Sequence, residues 1–386
     1  MAGGATPVHP VVKGNAYGHG MVPVARALEE AGADGFCVAT LDEAVVLRDA
    51  GITKPIQVMF PIPPALGAEA ARRSIGITVA DRQLLDELLA ALQAAPGGAK
   101  LRVELEIETG LGRGGFTADA AADAARDLVA SARIELGGAW THLQAPETPE
   151  RTRRQAAEFE RAAAALRAAG IRVERMHIAA SGSLVLGEAL SLSGVRPGLA
   201  TYGLVPNELI DDDRATRGGE LRPVLSLRAQ PVRVTDLRAG WGISYGPTFT
   251  TSRPSRIATL PLGYGDGWSR ALSNRAEALV RGVRVPLVGN VAMDAVMADV
   301  TDVPGEPVTI HDEFVLIGEQ GDDRITAADV AAARGTNSWE VVTNLAARLP
   351  RVYHAASVPR ATRTLIGDAT PSAGRAGDGA RRSTRP

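Results

Sequence analysis

The chain has 386 residues, of which 45% are hydrophobic and 22% charged, with a net charge of −2. That length exceeds one typical domain and predicts two. The balanced charge leaves no global field for nucleic acid or an anionic membrane, and no apolar run reaches the roughly 18 residues of a spanning helix. MAGGATPVHP has neither the basic n-region nor the apolar h-region of a signal peptide. The single Cys37 excludes an internal disulfide and reads as a small buried strand residue, so the expectation is a cytoplasmic protein.

In chain order, Val11 and Val12 read as the end of a buried strand that Lys13 terminates. MVPVARALEEAGA is a helix that ends at Gly32, GFCVAT a strand, and LDEAVVLRDAG a second helix. PIQVMF (55–60) is the next strand, followed by the alanine-rich ALGAEAARRS. ITVA leads into a helix over 81–94, LRVELEI (101–107) is a strand, and a helix covers 118–132. ELGGAWTHL (135–143) is a strand and PERTRRQAAEFERAAAALRAAG a long amphipathic helix. VERMHIAAS, SLVLGEAL and VRPGLATYGL close the series as strand, short helix and terminal segment. Such alternation predicts a parallel sheet with right-handed crossovers. A closed (β/α)8 barrel and an open doubly wound sheet both fit the periodicity, but no GxGxxG follows a first strand, which disfavours dinucleotide binding.

The texture changes near residue 220. VLSLRAQPVRVTDL, RIATLPLG, EALVRGVRVPLVGN, AVMADVTDV and EPVTIHDEFVLIG are rich in Val, Leu and Ile and punctuated by Gly and Pro, which reads as antiparallel β. A hairpin is expected at Arg281-Gly282. ITAADVAAARGTNSWEVVTNLAARL is a helix broken near Gly335, and VYHAA a last strand. The tail over 366–386 lacks apolar anchors and is expected to be disordered.

The chemistry concentrates at Val11-Val-Lys-Gly-Asn-Ala-Tyr-Gly-His-Gly20. Only three lysines, Lys13, Lys54 and Lys100, stand against 39 arginines. A lysine beside two valines points to an amine that can lose its proton, as Arg cannot, and condense with a carbonyl; a strand-end lysine snorkelling to water is the other reading. Gly14, Gly18 and Gly20 let the chain turn closely around it. VVKGNAYGHG resembles the pyridoxal-phosphate lysine motif of the alanine racemase family, with Gly14 where the family usually has Ala.

The resemblance extends over about residues 8–360. It implies an N-terminal (β/α)8 TIM-like barrel over 1–220 and a C-terminal, mostly antiparallel β domain over 221–365. Members carry a further strand and helix ahead of the lysine strand. Here either the start lies upstream or the barrel lacks an opening element. The implied cofactor is pyridoxal 5′-phosphate, which needs an amine, a phosphate cradle, a partner for the ring nitrogen and bases on both faces. Lys13 would be the amine and one base. Tyr245, in SYGPT, would be the second base. A tyrosine ionises near pH 10 and needs a neighbour to act at neutral pH, and His142, in THLQ, matches the histidine that bonds it. Arg196, in RPGLATYGL, would face the ring nitrogen, where it cannot donate a proton as a carboxylic acid would; this disfavours transamination. Tyr17, Ser181, Gly198 and Leu199 match the phosphate cradle, although Ser181 also reads as an N-cap.

Arg113, in TGLGRGG, would contact cofactor and substrate carboxylate. Met293 and Asp294, in VAMDA, and Tyr264, in LGYGDGW, match the substrate entrance, which the family completes from the opposite subunit, implying a homodimer with shared sites. Two positions depart from the pattern. Glu106 stands where several members carry a lysine modified to an anionic carbamate, and reads as its direct substitute. Ser338-Trp339-Glu340 stands where members have NYE or SYE; Trp339 keeps an N–H donor and loses the hydroxyl. The implied function is an isomerase that interconverts L- and D-alanine for cell-wall precursors, without a metal. The alternatives are a racemase of serine or a basic amino acid, and a non-catalytic pyridoxal-phosphate-binding protein, which would lack the β domain.

Overall fold

The computed structural model describes residues 6–187, 190, 193–355, 358–365 and 367–369. Six strands, β1 (Phe36–Val38), β2 (Ile56–Val58), β3 (Gly76–Val79), β4 (Leu101–Glu106), β5 (Ile134–Trp140) and β6 (Arg175–His177), pair in that order and all in parallel. Nearly every residue of β1–β4 is buried, as strands covered on both faces require. Two further segments close the ring. Val8 bridges Val195, Val11 bridges Cys37, and Ala180 bridges Arg196. The N–H of His9 donates to the Val195 carbonyl at 2.9 Å and that of Val11 to Pro197 at 2.8 Å. Residues 7–12 and 195–197 therefore fill the remaining two places of an eight-membered barrel. The fold is the closed (β/α)8 form, and ring closure requires no strand ahead of residue 7.

Helices α1 (Lys13–Tyr17), α2 (Met21–Glu30), α3 (Leu41–Asp49), α4 (Gly67–Arg72), α5 (Arg82–Ala94), α6 (Ala118–Ala130), α7 (Pro149–Ala168) and α8 (Ser181–Leu186) lie in the crossovers. Local chemistry sets their starts. Thr40, Asp81 and Thr117 each accept a backbone N–H three residues on, a cap worth about 1 kcal/mol. On α5, Leu85, Leu88 and Leu92 recur at helical spacing and are buried against the sheet.

The barrel core carries a buried polar chain. Glu104 accepts from His177 Nε2 at 2.9 Å and from Arg175, which also reaches His9 Nε2 at 3.0 Å. Arg196 donates to His177 Nδ1, so the His177 proton sits on Nε2. Burial alone would push the Glu104 carboxyl up; His177 and Arg175 outweigh it and hold the group well below the usual carboxylate range. Burial, reinforced by neighbouring arginines, pushes His9 and His177 down to about 4. Unfolded histidines titrate near 6.5, so below that pH the unfolded chain takes up protons that the native state refuses. Stability should fall as pH drops from about 6.5 to about 4, by up to about 1.4 kcal/mol per pH unit for each histidine. Glu104 adds to the loss in the same direction below its unfolded value. Melting temperature against pH checks this; a flat profile across that window contradicts it.

The C-terminal part is antiparallel. Strands β7 (Leu227–Ala229), β8 (Arg233–Leu237), β9 (Gly242–Ile243), β10 (Phe249–Thr250), β11 (Ser255–Leu260), β12 (Glu277–Val280), β13 (Val283–Val288), β14 (Val296–Asp299), β15 (Phe314–Gln320) and β16 (Asp323–Ile325) follow one another. All but the β9–β10 hairpin join one sheet, in the order β16-β15-β12-β13-β14-β11-β8, with β7 on β15. The β-rich stretch over 224–237 forms two strands with different neighbours. Pro231 between them has no N–H for the ladder. The β12–β13 hairpin turns at Arg281 and Gly282, both at positive φ (53° and 75°). Helix α9 (Ala327–Arg334) stops at a left-handed Gly335 and α10 (Ser338–Thr343) follows, as the expected break requires.

Strands β17 (Arg351–Ala355), β18 (Val358–Thr364) and β19 (Gly367–Ala369) form a small sheet. The tail expected to be disordered from 366 thus begins with a paired strand; the rest of it lies outside the described residues. Among the described residues no helix is long and apolar enough to cross a membrane.

Candidate active site

Lys13 sits directly after the barrel segment 7–12, at the C-terminal mouth of the ring, where (β/α)8 enzymes place their chemistry. The next four residues form a left-handed turn: φ is 60° at Gly14, 56° at Asn15, 55° at Ala16 and 50° at Tyr17. Glycines were expected to do this work, yet three of the four are not glycine. Each such residue costs on the order of 1–2 kcal/mol, and the structure offsets the cost with fasteners from distant parts of the chain. Glu43 Oε1 accepts the Gly14 N–H at 2.7 Å, Arg351 Nε donates to the Gly18 carbonyl at 2.9 Å, and Tyr353 Oη donates to that of His19 at 3.1 Å. Tyr202 Oη donates to Val11 at 2.8 Å, and its ring stacks on His19. Helix α10 lies against α1; a side chain at Gly18 would overlap the Val342 carbonyl.

The mouth opens into a cavity of about 740 Å³. Eight of the expected residues line it: Lys13, Tyr17, Arg113, His142, Ser181, Arg196, Gly198 and Leu199. Burial, then the Arg113 cation, lowers the Lys13 pKa, while Glu43 opposes them. Arg113 Nη2 donates to Glu106 Oε1 at 2.9 Å, and Glu106 is itself 6% exposed, so the expected pairing exists. Arg196 donates to the carbonyls of Thr141 and His177 at 2.7 and 3.1 Å and lies over the Trp140 ring. Burial lowers it to about 10, so it remains a cation at neutral pH. Burial, with Arg196 and Arg113, pushes His142 down to about 3 and keeps its ring neutral.

Ser181 does not cap its own helix. Its Oγ accepts from the N–H groups of Gly198 and Ala200 at 2.9 and 3.1 Å, fixing the segment opposite Tyr17. Trp339 also lines the cavity.

Tyr245, Tyr264, Met293 and Asp294 are not brought to this cavity within the chain. Tyr245 is 78% exposed in the β9–β10 loop and lines a separate hollow of about 440 Å³ with Trp241 and Ile243. Met293, Tyr264 and Asp294 are likewise exposed, and Arg348 ties Asp294 to the buried Asp266 at 2.6 and 2.7 Å. Two residues of the site escaped the sequence reading. Phe60 holds its ring 5.9 Å from Lys13 Nζ and 5.3 Å from the Arg113 guanidinium. Glu43 showed only the Thr-x-x-Glu spacing of a capping box.

The chain matches the family description "Alanine racemase, N-terminal domain" over residues 1–206 and "Alanine racemase, C-terminal domain" over residues 224–353. The chain belongs to the alanine racemase family. It is 38% identical over 360 residues to alanine racemase 2 of Caldanaerobacter subterraneus subsp. tengcongensis, covering 92% of this chain and 89% of that one. It is 40% identical over 345 residues to the alanine racemase of Symbiobacterium thermophilum, covering 89% of each. Among solved structures, the Bacillus anthracis alanine racemase with bound L-Ala-P superposes with a TM-score of 0.86 at 32% identity, covering 95% of this chain and 92% of that one. The enzyme from D-cycloserine-producing Streptomyces lavendulae gives 0.81 at 34%, covering 91% of each.

Members of this family depend on pyridoxal 5′-phosphate, and the residues present fit it. Ser183 Oγ is buried in the cavity wall with no hydrogen-bond partner among the described residues. A Cβ at Gly198 would sit 2.6 Å from Tyr17 Oη, so glycine keeps that corner open. The first N–H groups of α8 have no acceptor within the helix, as at any helix start. These are donors in want of an anion. Among the described residues no cluster of His, Cys, Asp or Glu could hold a metal.

Glu106 gives a direct test. Replacing its carboxylate by an amide, in Glu106→Gln, weakens a charged hydrogen bond and frees Arg113. Such bonds are worth about 1.5–3 kcal/mol, so kcat/KM should fall roughly tenfold or more. With a carboxylate already paired to Arg113, wild-type activity should be unchanged in buffer stripped of carbon dioxide. A Glu106→Gln enzyme with wild-type kinetics would mean that Arg113 is held by other means.

Proposed function

We propose that the chain is a pyridoxal 5′-phosphate-dependent alanine racemase, interconverting L- and D-alanine in the cytoplasm and supplying D-alanine for cell-wall precursors. The observation that carries this reading is the gathering of Lys13, Arg113, His142 and Arg196 around one cavity in a chain that matches the family through both domains. The working division is a barrel over 1–220 and a β domain over 221–365. The latter argues against a non-catalytic barrel protein.

Pyridoxal phosphate, when bound, supplies an electron-withdrawing ring that acidifies the α C–H of the amino acid. Tyr17, Ser181, Gly198 and Leu199 would hold its phosphate; burial raises the Tyr17 hydroxyl to about 12, so it stays a donor. Arg196 would face the ring nitrogen as a fixed cation held by Thr141 and His177. Arg113, braced by Glu106, would bind the substrate carboxylate.

Lys13 Nζ, which burial favours as the free amine, takes or returns the α-proton on one face. The second proton donor and acceptor is Tyr245 Oη, contributed by the other chain of a homodimer. Its exposure outside the cavity of its own chain supports this placement. Neutral His142 is the acceptor that such a hydroxyl needs. Tyr264, Met293 and Asp294 would form the entrance from the same partner.

Chiral chromatography of L-alanine, L-serine and L-lysine, each incubated with the loaded protein, tests the reading. D-alanine should form with a kcat/KM at least tenfold above the others. Bound cofactor without any D-enantiomer would leave a binding protein; a preference for serine or lysine would reassign the substrate.

A further inference from the structure

Glu43 is the third residue of α3, and on sequence grounds its carboxylate only completes a helix start with Thr40. The structure uses it differently. One oxygen, Oε2, accepts from Ala39 N–H at 2.8 Å and Thr40 N–H at 3.3 Å. The other, Oε1, reaches across to the Gly14 N–H at 2.7 Å. Gly14 opens the left-handed turn and follows Lys13 directly, so this bond fastens the lysine's own backbone to the end of β1. The cap of α3 needs only one oxygen. The second is spent on the turn, and Glu43 lines the cavity beside Lys13.

The groups facing the Lys13 amine are Arg113, Glu43, the Cys37 thiol and, across the cavity, His142. Burial keeps Cys37 protonated, raised to about 12, and keeps His142 neutral. Arg113 and Glu43 are the charged groups that act directly on the amine, with opposite signs; Arg196, Glu147 and Glu208 line the same cavity.

We infer that Glu43 is a positioning residue for Lys13: its carboxylate fastens the left-handed turn that aims the amine and supplies the negative charge that balances Arg113 beside it. The inference rests on the reading of Lys13 as the cofactor lysine. Its consequence is a division of labour. Arg113 and burial drive Lys13 toward the free amine, and Glu43 limits how far that goes. In Glu43→Gln the side chain keeps its size but loses the charge. It retains a single acceptor oxygen for backbone donors on two sides, so one fastening fails.

The test is the capture of pyridoxal phosphate by the full chain freed of cofactor, followed by absorbance across a pH series. Borohydride reduction and peptide mass mapping then locate the linkage. In the wild type the linkage should map to Lys13, with a rate that rises with pH as the amine deprotonates. If the wild type captures nothing at Lys13, the proposed function fails, independently of Glu43. In Glu43→Gln the midpoint of that rise should move to lower pH, because the charge that favours the ammonium is gone. The maximal rate should fall about ten- to a hundredfold, because the amine is misaimed.

Glu43→Asp keeps the charge but is one methylene too short to bridge both sides. It should keep a midpoint close to the wild type and lose maximal rate. Thr40→Ala removes the helix cap and leaves the Gly14 bond. It should lower the melting temperature with midpoint and rate unchanged. The inference is overturned if Glu43→Gln shows the wild-type midpoint and rate, or if Thr40→Ala reproduces its shift. Should Glu43→Gln not fold, Glu43→Asp decides: wild-type capture by that variant overturns the inference.

Discussion

Lys13→Ala should abolish racemisation, a loss of about 10⁴-fold or more, since the proposed function makes the residue both the covalent anchor and one of the two acid–base groups. The expected signature is a protein that no longer yields a borohydride-reducible adduct with pyridoxal phosphate. The structure makes this test sharp, because the other two lysines cannot stand in. Lys54 and Lys100 precede β2 and β4, at the N-terminal ends of barrel strands, opposite the mouth that holds the cavity. An adduct at either, with activity retained, would show that the cavity at the mouth is not the site.

Tyr245→Phe should reduce racemisation by about 10²–10⁴-fold, the usual cost of losing a positioned acid–base group. The ring remains, and Tyr245 is 78% exposed, so packing within its own chain should survive. Melting temperature should therefore be unchanged. The defect should also be one-sided at the level of the proton. In the proposed mechanism Lys13 serves removal from D-alanine and Tyr245 removal from L-alanine. The variant should lose α-deuterium exchange from L-alanine while D-alanine still exchanges through Lys13 without efficient inversion. Overall racemisation must slow equally in both directions, because no variant alters the equilibrium constant. Equal loss of exchange from both enantiomers would indicate that Tyr245 shapes the site rather than moving protons.

What could be read in advance follows the range of the interactions involved. Lys13 stood out because it is one of three lysines among 39 arginines beside a glycine-rich turn. The strand–helix alternation and the Arg281-Gly282 hairpin are local patterns, and they appear where expected. Barrel closure was not local: it depends on residues 7–12 pairing with 195–197 across the whole domain. The left-handed turn was half visible. Glycines announced it, but Asn15, Ala16 and Tyr17 also adopt positive φ, in a turn whose ends Glu43, Arg351 and Tyr353 fasten from elsewhere. Glu43, whose bond to Gly14 spans 29 residues, was not singled out in the sequence. Ser181 also read as an N-cap, yet its hydroxyl serves Gly198 and Ala200, residues brought beside it by the closing segment. The split of β7 from β8 has a local cause in Pro231, one of the prolines that punctuate this β-rich stretch.

The central claim is that Lys13 of one chain and Tyr245 of another make a single racemase site. Mixing equal amounts of the Lys13→Ala and Tyr245→Phe proteins, unfolding and refolding them together, and assaying alanine racemisation tests it most directly. Random pairing makes half the dimers mixed, each with one intact site and one doubly deficient site. Activity should return to about a quarter of the wild-type rate from two nearly inactive parents. Mixed dimers that are seen by mass to form and yet recover no activity would contradict the shared site and place Tyr245 within its own chain or outside the chemistry.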